Sequence, residues 1–367
     1  MPGVTERDKL LPVYLTDEMG VCVRTAPANL NAAKSSAEMR WRMLFLNLLL
    51  LLVGFFALIK GADRFVDGSS SLAKNFKVPG LIIGLTIVAL GTSAPELAVS
   101  ISAAVQGSNE IALSNVVGSN IFNLLCVLGV CAVIHAVPVD KGIIRRDFPL
   151  SIGATLLLLL MTSSQTICSG KIFQLDMDDT AGTINRLTGL ILLTIFLIYI
   201  LYLIYDAKRH PEDEKPDQCL PVWKCLLFIV IGLALTVAGG QAVVYSAKAI
   251  AGAMGMSETL IGLTIVAVGT SLPELVTSVV AARKGENGLA MGNVVGSSIF
   301  NLLFILGISS AIHPIAINTA SVYDMVILMV INIIAYIFSL SRESVRRPEG
   351  VVMVLLYLLD VLFAIVR

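Results

Sequence analysis

Charge is scarce in this chain. Only 14% of its 367 residues are Asp, Glu, Lys or Arg, against roughly 25% in an average soluble domain. With 56% hydrophobic residues and a mean hydropathy of +0.86, that deficit excludes an ordinary soluble protein. The net charge is zero, which leaves no basic surface for nucleic acid. Histidine occurs three times, as His135, His210 and His313, each at an expected helix end or in a loop. That placement offers no proton relay. The six cysteines fall in no CxxC or Cys/His pattern, so neither a redox pair nor a zinc site is expected. Cys126 and Cys131 lie inside an expected helix and read as apolar filler. The strand alternation of an outer-membrane barrel is absent. So is the apolar core of a signal peptide in the first 38 residues.

What the chain has instead is apolar runs long enough to cross a bilayer, about 20 residues each. Ten are expected, near 43–62, 78–105, 111–135, 144–163, 187–206, 221–252, 257–282, 288–313, 321–341 and 350–366. The fold class is therefore an all-α polytopic membrane protein embedded in the lipid bilayer. Residues 1–42 are polar and without helical period, and are expected to be a disordered tail. Met39 and Met43 directly precede the first apolar run, which makes an internal translation start an expectation. The link at 207–220 is charged and holds two prolines. It divides the chain into a first half, 43–206, and a second, 221–367, of five spans each.

An odd number of spans per half means that the second half enters the membrane from the opposite side. The halves are then inverted repeats, with interrupted helices expected at the midplane. Orientation follows from lysine and arginine. Loops on one side carry 15 of them, including Lys60, Arg64, Lys74, Lys77, Arg283 and Lys284, whereas the other side holds only Lys171, Arg186, Arg367 and marginally Lys248. The first side is expected to be cytoplasmic, which places both termini outside and the central linker inside. Six basic residues in the N-terminal tail pull weakly the other way.

The halves also share sequence. GLTIVALGTSAPEL (84–97) and GLTIVAVGTSLPEL (262–275) lie 178 residues apart and agree at 12 of 14 positions. At the same offset, NVVGSNIFNLLCVLG (115–129) matches NVVGSSIFNLLFILG (293–307) at 12 of 15. Each copy puts one acid, Glu96 or Glu274, in an apolar segment, where an ionisable group is expensive and marks an ion or proton site. Pro95 lacks an N–H and disturbs the preceding turn, so carbonyls near Ala89 and Leu90 are expected to lose their partners. Such backbone is tolerated only where it is buried in protein or lines a cavity. Thr92, Ser93 and Glu96 crowd this break. Ala267, Thr270, Ser271, Pro273 and Glu274 repeat the set. In the second block, Ser119 and Asn123 lie four apart on one helix face, as do Ser297 and Asn301. Gly118 and Gly296 are expected to permit close helix approach. Small polar residues in membrane helices often only bond across helices. The duplication favours a site.

Inversion would bring the two breaks face to face. Two carboxylates within a ring of hydroxyl, amide and carbonyl oxygens, with no nitrogen or sulfur donor, suit hard cations such as Ca²⁺ and Na⁺. Two negative charges match one Ca²⁺. Without it the carboxylates repel each other and must take monovalent cations or a proton.

These motifs resemble the two alpha-repeats of the sodium/calcium exchanger family, within the calcium/cation antiporter superfamily, and KGADRFVDGSSSLA (60–73) also fits its prokaryotic members. The resemblance implies ten helices and a secondary antiporter, not an enzyme. It would export Ca²⁺ against Na⁺ influx across the plasma membrane, with no resident cofactor. A monomer would suffice. Its coordinating positions would be Ala89, Thr92, Ser93, Glu96, Ser119 and Asn123, with Ala267, Thr270, Ser271, Glu274, Ser297 and Asn301. The glutamates would hold Ca²⁺, flanking sites would take Na⁺, and the first and sixth helices would slide to alternate access. Asn301 departs from members that carry Asp there, which leaves two carboxylates rather than three and argues against potassium dependence.

Coupling to H⁺ on the same fold is the nearest alternative. The several neutral oxygens beside each glutamate favour Na⁺, since a proton needs no coordination shell. A channel would need a continuous pore. An intramembrane protease would need a Ser/His pair or two midspan Asp residues, and only Asp360 is a candidate. Asp63 and Asp67 read as ion pairs with Lys60 and Arg64 at helical spacing, or as part of an entry path. Asp176, Asp178 and Asp179 read as a solvated loop without EF-hand spacing.

Overall fold

The structure is a computed structural model that describes residues 14–16, 22–24, 30–107, 109–168, 179–209, 219–256 and 267–366. Two compact units are present, Met1–Leu49 and Leu50–Arg367. In the first, β1 (Tyr14–Thr16) pairs antiparallel with β2 (Cys22–Arg24). Helix α1, Leu30–Phe76, begins inside the stretch expected to be a tail.

The architecture is almost entirely helical. After α1 come α2 (Gly80–Thr92) and α3 (Ala94–Gln106), a pair bent by 50°. Then follow α4 (Ile111–Ile134), α5 (Phe148–Cys168), α6 (Arg186–Arg209) and α7 (Val222–Ala253). The rest are a single turn α8 (Ala267–Gly269), α9 (Leu272–Arg283), α10 (Asn287–Ile312), α11 (Thr319–Leu340) and α12 (Arg347–Val366). Among the described residues, seven helices are long and apolar enough to cross a membrane, and the bent pair makes an eighth. The chain is a multi-pass membrane protein. Of the other two expected spans, 144–163 falls on α5, a helix of 21 residues. The stretch 257–282 runs partly through 257–266, outside the described residues.

Two short antiparallel ribbons join helix ends. β3 (Val137–Pro138) pairs with β6 (Ser344–Val345), and β4 (Thr180–Ile184) pairs with β5 (Ile315–Asn318). His135 and His313 are the extended residues that end α4 and α10, 178 positions apart like the motifs. His210, Asp176 and Asp178 lie outside the described residues.

Burial sorts the helices. The apolar windows of α4 and α10 are 72% and 78% buried, against 11% for α12. So the two helices that carry the GSNIFN and GSSIFN blocks form the centre. The outer helices expose Leu, Ile, Val and Phe, as in Leu197 and Leu201 on α6 or Leu358 and Leu362 on α12. That is the surface a bilayer would cover.

The first apolar run was expected to end at residue 62, with Lys60, Arg64 and Lys74 in a loop. Instead α1 continues to Phe76, because Phe65, Val66, Leu72 and Ala73 stay buried and keep paying for helical order. Its partner is α7. A Cβ on Gly61 would meet Thr236 N at 2.5 Å, and one on Gly232 would meet Phe65 N at 2.5 Å. Gly54 packs on Gly239, and Gly239 packs on Leu58 and Gly54. Gly54 and Gly232, like Gly61 and Gly239, are 178 apart, so the repeat register extends into helices whose other residues have diverged. Small residues allow backbones this close, which is how membrane helices gain packing energy.

Gly296 also behaves as expected, since a Cβ there would meet Leu85 Cα at 2.7 Å. Gly118 does not. Among the described residues, a Cβ there meets nothing within 4 Å. Gly232→Val should therefore cost about 1–3 kcal/mol through overpacking, seen as a lowered melting temperature in detergent. Gly118→Ala should leave the melting temperature unchanged or raise it slightly.

Candidate ion-binding site

Each half breaks a helix at the same place. Between α2 and α3, Ser93 takes φ −82°, ψ 10°; between α8 and α9, Ser271 takes φ −93°, ψ 9°. Pro95 and Pro273 then fall in the first turn of the next helix, where a missing N–H costs nothing. Glu96 and Glu274 also sit in those first turns. There the positive end of the helix dipole faces a carboxylate. The expectation for Ala89 needs correction. Its carbonyl accepts the Ser93 N–H at 3.0 Å, because the chain stays helical up to the serine. In the second half the bond is a tighter one, from Ser271 N to the carbonyl of Val268, the counterpart of Leu90, at 3.2 Å.

Both glutamates are fully buried, and each is served by the other half. Ser93 Oγ donates to Glu274 Oε1 at 2.9 Å, and Ser271 Oγ donates to Glu96 Oε1 at 2.9 Å. Since each hydroxyl has one proton, a directed chain can be traced. Asn301 Nδ2 donates to Ser119 Oγ (3.2 Å), Ser119 pairs with Ser271 (2.9 Å), and Ser271 donates to Glu96. The chain alternates between halves at every step. Its counterpart would run from Asn123 through Ser297 and Ser93 to Glu274. Only the last bond is made; Asn123 Nδ2 and Oδ1 and Ser297 Oγ are buried without a partner. Glu96 Oε2, Glu274 Oε2 and Asn301 Oδ1 are also buried and unpartnered.

A second tier holds the first in place. Asn115 Nδ2 donates to Glu96 O (3.2 Å) and Ser100 Oγ (2.9 Å). Asn293 Nδ2 repeats this with Glu274 O (3.3 Å) and Ser278 Oγ (2.8 Å). Asn293 Oδ1 accepts from Thr92 Oγ1 at 2.8 Å, and Asn120 Oδ1 accepts from Asn301 Nδ2 at 3.1 Å. None of Asn115, Asn293, Asn120, Ser100 or Ser278 stood among the expected site residues. Asn115 and Asn293 were findable, since each opens its copy of the second repeated block.

The helices that bear the neutral ligands loosen where the site lies. α4 turns to π geometry over Phe122–Val127 and α10 over Asn301–Ile305, at or beside Asn123 and Asn301. π-turns are found mostly at functional sites. Of the expected residues, Ser119, Ser271, Glu96 and Asn301 form one hydrogen-bonded cluster and Thr92, Ser93 and Glu274 a second with Asn293, and Asn123 and Ser297 are buried on the same central helices. Thr270 joins neither. It is half-buried, on the wall of a cavity of about 190 Å³ lined also by Pro95, Gln241, Tyr245 and Pro273. Of Ala267 only the backbone is described, in α8.

Chemically, this is a pocket of two carboxylates and neutral oxygens with acceptor capacity left over. A family model described as sodium/calcium exchanger protein matches residues 46–205 and 224–366, one segment per half. The chain belongs to this family. Its relatives include the putative antiporter CaxA of Alkalimonas amylolytica, 39% identical over 321 residues, which cover 84% of this chain and 95% of that protein. The sodium/calcium exchanger MaX1 of Methanosarcina acetivorans is 33% identical over 350 residues, or 88% and 100% of the two chains. Among solved structures, the sodium-calcium exchanger NCX_Mj soaked with 10 mM Na⁺ and zero Ca²⁺ superposes with a TM-score of 0.72 at 29% identity, covering 87% of this chain and 98% of that one. The relatives in this family are transporters and antiporters, not enzymes.

The asparagine tier makes a test that is separate from ion binding. Asn293→Ala removes the partner of Thr92 and Ser278 in a buried place, which costs about 1–3 kcal/mol for groups left unsatisfied. Its thermal midpoint in detergent should fall clearly below that of the wild type.

Proposed function

We propose that this exchanger-family member is a secondary antiporter that carries Ca²⁺ and Na⁺ in opposite directions through one site, exporting Ca²⁺ as Na⁺ enters. Ca²⁺ is the substrate of Glu96 and Glu274, and Na⁺ takes sites assembled from the same carboxylates with Thr92, Ser93, Ser119, Asn123, Thr270, Ser271, Ser297, Asn301 and the carbonyls of Ala89 and Ala267. The carrying observation is the set of five buried oxygens without partners: Glu96 Oε2, Glu274 Oε2, Asn123 Oδ1, Asn301 Oδ1 and Ser297 Oγ. Native proteins satisfy nearly all such atoms. A divalent cation would take several at once, as Ca²⁺ accepts six to eight oxygens, and would neutralise the two carboxylates.

The architecture in this reading is ten spans in two inverted halves, 43–206 and 221–367, joined by the 207–220 linker on the cytoplasmic side, with both termini outside. The reciprocal Ser93–Glu274 and Ser271–Glu96 bonds support a two-fold relation between the breaks. Obligatory exchange follows from electrostatics. Two bare carboxylates in a dry protein interior are too costly to carry across, so the site moves only when loaded.

The deciding experiment is ⁴⁵Ca²⁺ uptake into Na⁺-loaded proteoliposomes diluted into Na⁺-free medium, beside a matched pH-gradient sample. Uptake driven by the Na⁺ gradient is expected; uptake driven only by the pH gradient would assign H⁺ as the coupling ion. Glu96→Gln and Glu274→Gln should each abolish Ca²⁺ uptake while the protein still inserts and elutes as wild type. Normal flux in either would refute the central assignment. Asn301→Asp should shift the Na⁺ dose-response more than the Ca²⁺ one, and an unchanged Na⁺ response would remove Asn301 from the pocket.

A further inference from the structure

Outside the site, charges gather in two places among the described residues: Arg146 pairs with Asp147 and Asp206, and a second group surrounds Lys284. Lys284 Nζ lies 2.6 Å from Asp63 Oδ1, 2.6 Å from Asp67 Oδ1 and 3.0 Å from Asp63 O. Two residues on, Glu286 Oε1 accepts from Ser70 Oγ and pairs with Lys74 Nζ at 3.3 Å. The partners on α1 are residues 63, 67, 70 and 74, a single stripe at helical spacing. Sequence spacing pointed instead to Lys60 and Arg64 as partners of the two aspartates. Arg64 stacks over Phe228, 5.0 Å from the ring centroid.

The groups opposite this stripe lie on the turn between α9 and α10. That turn is no ordinary loop. Glu274 is at the other end of α9, ten residues away, or roughly 15 Å along the helix. Ser297 and Asn301 follow on α10. The five ionic groups therefore tie α1 to the element that carries half of the candidate site.

The 178-residue register shows what the other half has in these places. Asp63 corresponds to Gln241, Asp67 to Tyr245, Ser70 to Lys248, Lys74 to Gly252, Lys284 to Gln106 and Glu286 to Ser108. The register is sound here, because Gly107 and Gly285 have matching left-handed φ values of 73° and 79°. Five charges have been reduced to one lysine, and Gln106 bonds within its own helix, to Ser102. Moreover, Gln241, Tyr245 and Val244 line the cavity of about 190 Å³ that reaches Thr270 and Pro273. Their counterparts on α1, Asp63, Asp67 and Val66, line neither this cavity nor the larger one, and Val66 is buried; on α2, Thr92 is buried and Gly91 packs on Phe65 and Leu233. On the face of the ion pairs a wider opening of about 1150 Å³, lined by Ser70, Lys74 and Glu286, stops short of the candidate site, since none of the site's residues lines it, whereas the smaller cavity of the other half reaches Thr270.

We propose that Lys284 and Glu286, with Asp63, Asp67 and Lys74, form an ion-pair latch that closes the candidate site toward the face on which they lie and biases the transporter toward opening at the opposite face. For the latched face to open, α1 must leave the Gly91–Thr92 break, and these pairs must part. The inference rests on the alternating-access reading of the preceding section.

The test uses impermeant maleimide on the full chain with its six cysteines replaced by alanine, reconstituted with known orientation. A cysteine at Val66 reports opening on the latched face, and one at Val244 reports the opposite face. Lys284→Gln should speed labelling of Val66→Cys about three- to tenfold, the range that two half-exposed pairs can supply, and slow labelling of Val244→Cys. The charge swap Lys284→Asp with Asp67→Lys should return both rates toward the parent's. Raising choline chloride from about 0.1 M to about 1 M, where the screening length falls from about 10 Å to about 3 Å, should mimic Lys284→Gln in the parent and do nothing further in the mutant. Unchanged Val66→Cys labelling under both perturbations would overturn the latch, whatever the uptake. Absence of Ca²⁺ uptake under either gradient in the unmodified protein would overturn the transport reading while leaving the labelling shift to stand.

Discussion

Two carboxylates buried in the middle of an apolar protein, each receiving one serine hydroxyl from the opposite half, are the constraint around which this molecule is built. Among the described residues no lysine or arginine pairs with either one; the side chains that bond to them are Ser93, Ser119 and Ser271. Burial without a counter-charge is expensive, and what lowers the expense here is arranged by the fold. The helix breaks place each glutamate in the first turn of a half-helix, where exposed N–H groups favour negative charge. The most buried helices bring neutral oxygens to the same place. The asparagine tier pins the backbone of both glutamates, so that the oxygens cannot turn away to find other partners. An arrangement that keeps acceptors dry and unused is strained unless a cation completes it, and this links the packing to the proposed transport.

The two halves repeat one sequence without repeating one conformation. The hydrogen-bond chain from Asn301 to Glu96 is complete, whereas the equivalent chain from Asn123 to Glu274 keeps only its last bond. Thr92 is buried and bonded to Asn293, whereas Thr270 faces a cavity. Packed interiors switch between discrete arrangements and do not deform smoothly. A duplicated unit therefore holds its halves in different states, and the difference has a direction. The half in which Thr92 is buried is the one whose α1 carries the charges that pair with the α9–α10 turn.

Much of the candidate site was legible from residues alone, and the reason is duplication. Glu96 and Glu274, the serines beside them and the second block with Asn123 and Asn301 stood out because both copies retained them where neighbouring apolar residues drifted. Spans on strongly apolar segments were also legible, since a bilayer demands length and hydropathy that few other settings require. Less legible were features that depend on a partner far away in sequence. Ala89 kept its backbone bond because the break came later, at Ser93. Gly118 meets no neighbour among the described residues, although Gly296 in the same motif is tightly packed. Asp63 and Asp67 chose Lys284 across more than two hundred residues over the neighbours that helical spacing offered.

The amino-acid sequence by itself determined that this is a helical membrane protein of duplicated design, with one acid per copy in apolar surroundings. Composition and periodicity are local properties, and a self-comparison needs no coordinates. Only the tertiary structure decided which serine serves which glutamate, which oxygens remain without partners, and which of the two threonines is buried. Those are relations between helices that meet in space. Two nearly identical motifs cannot announce from within themselves that they will differ.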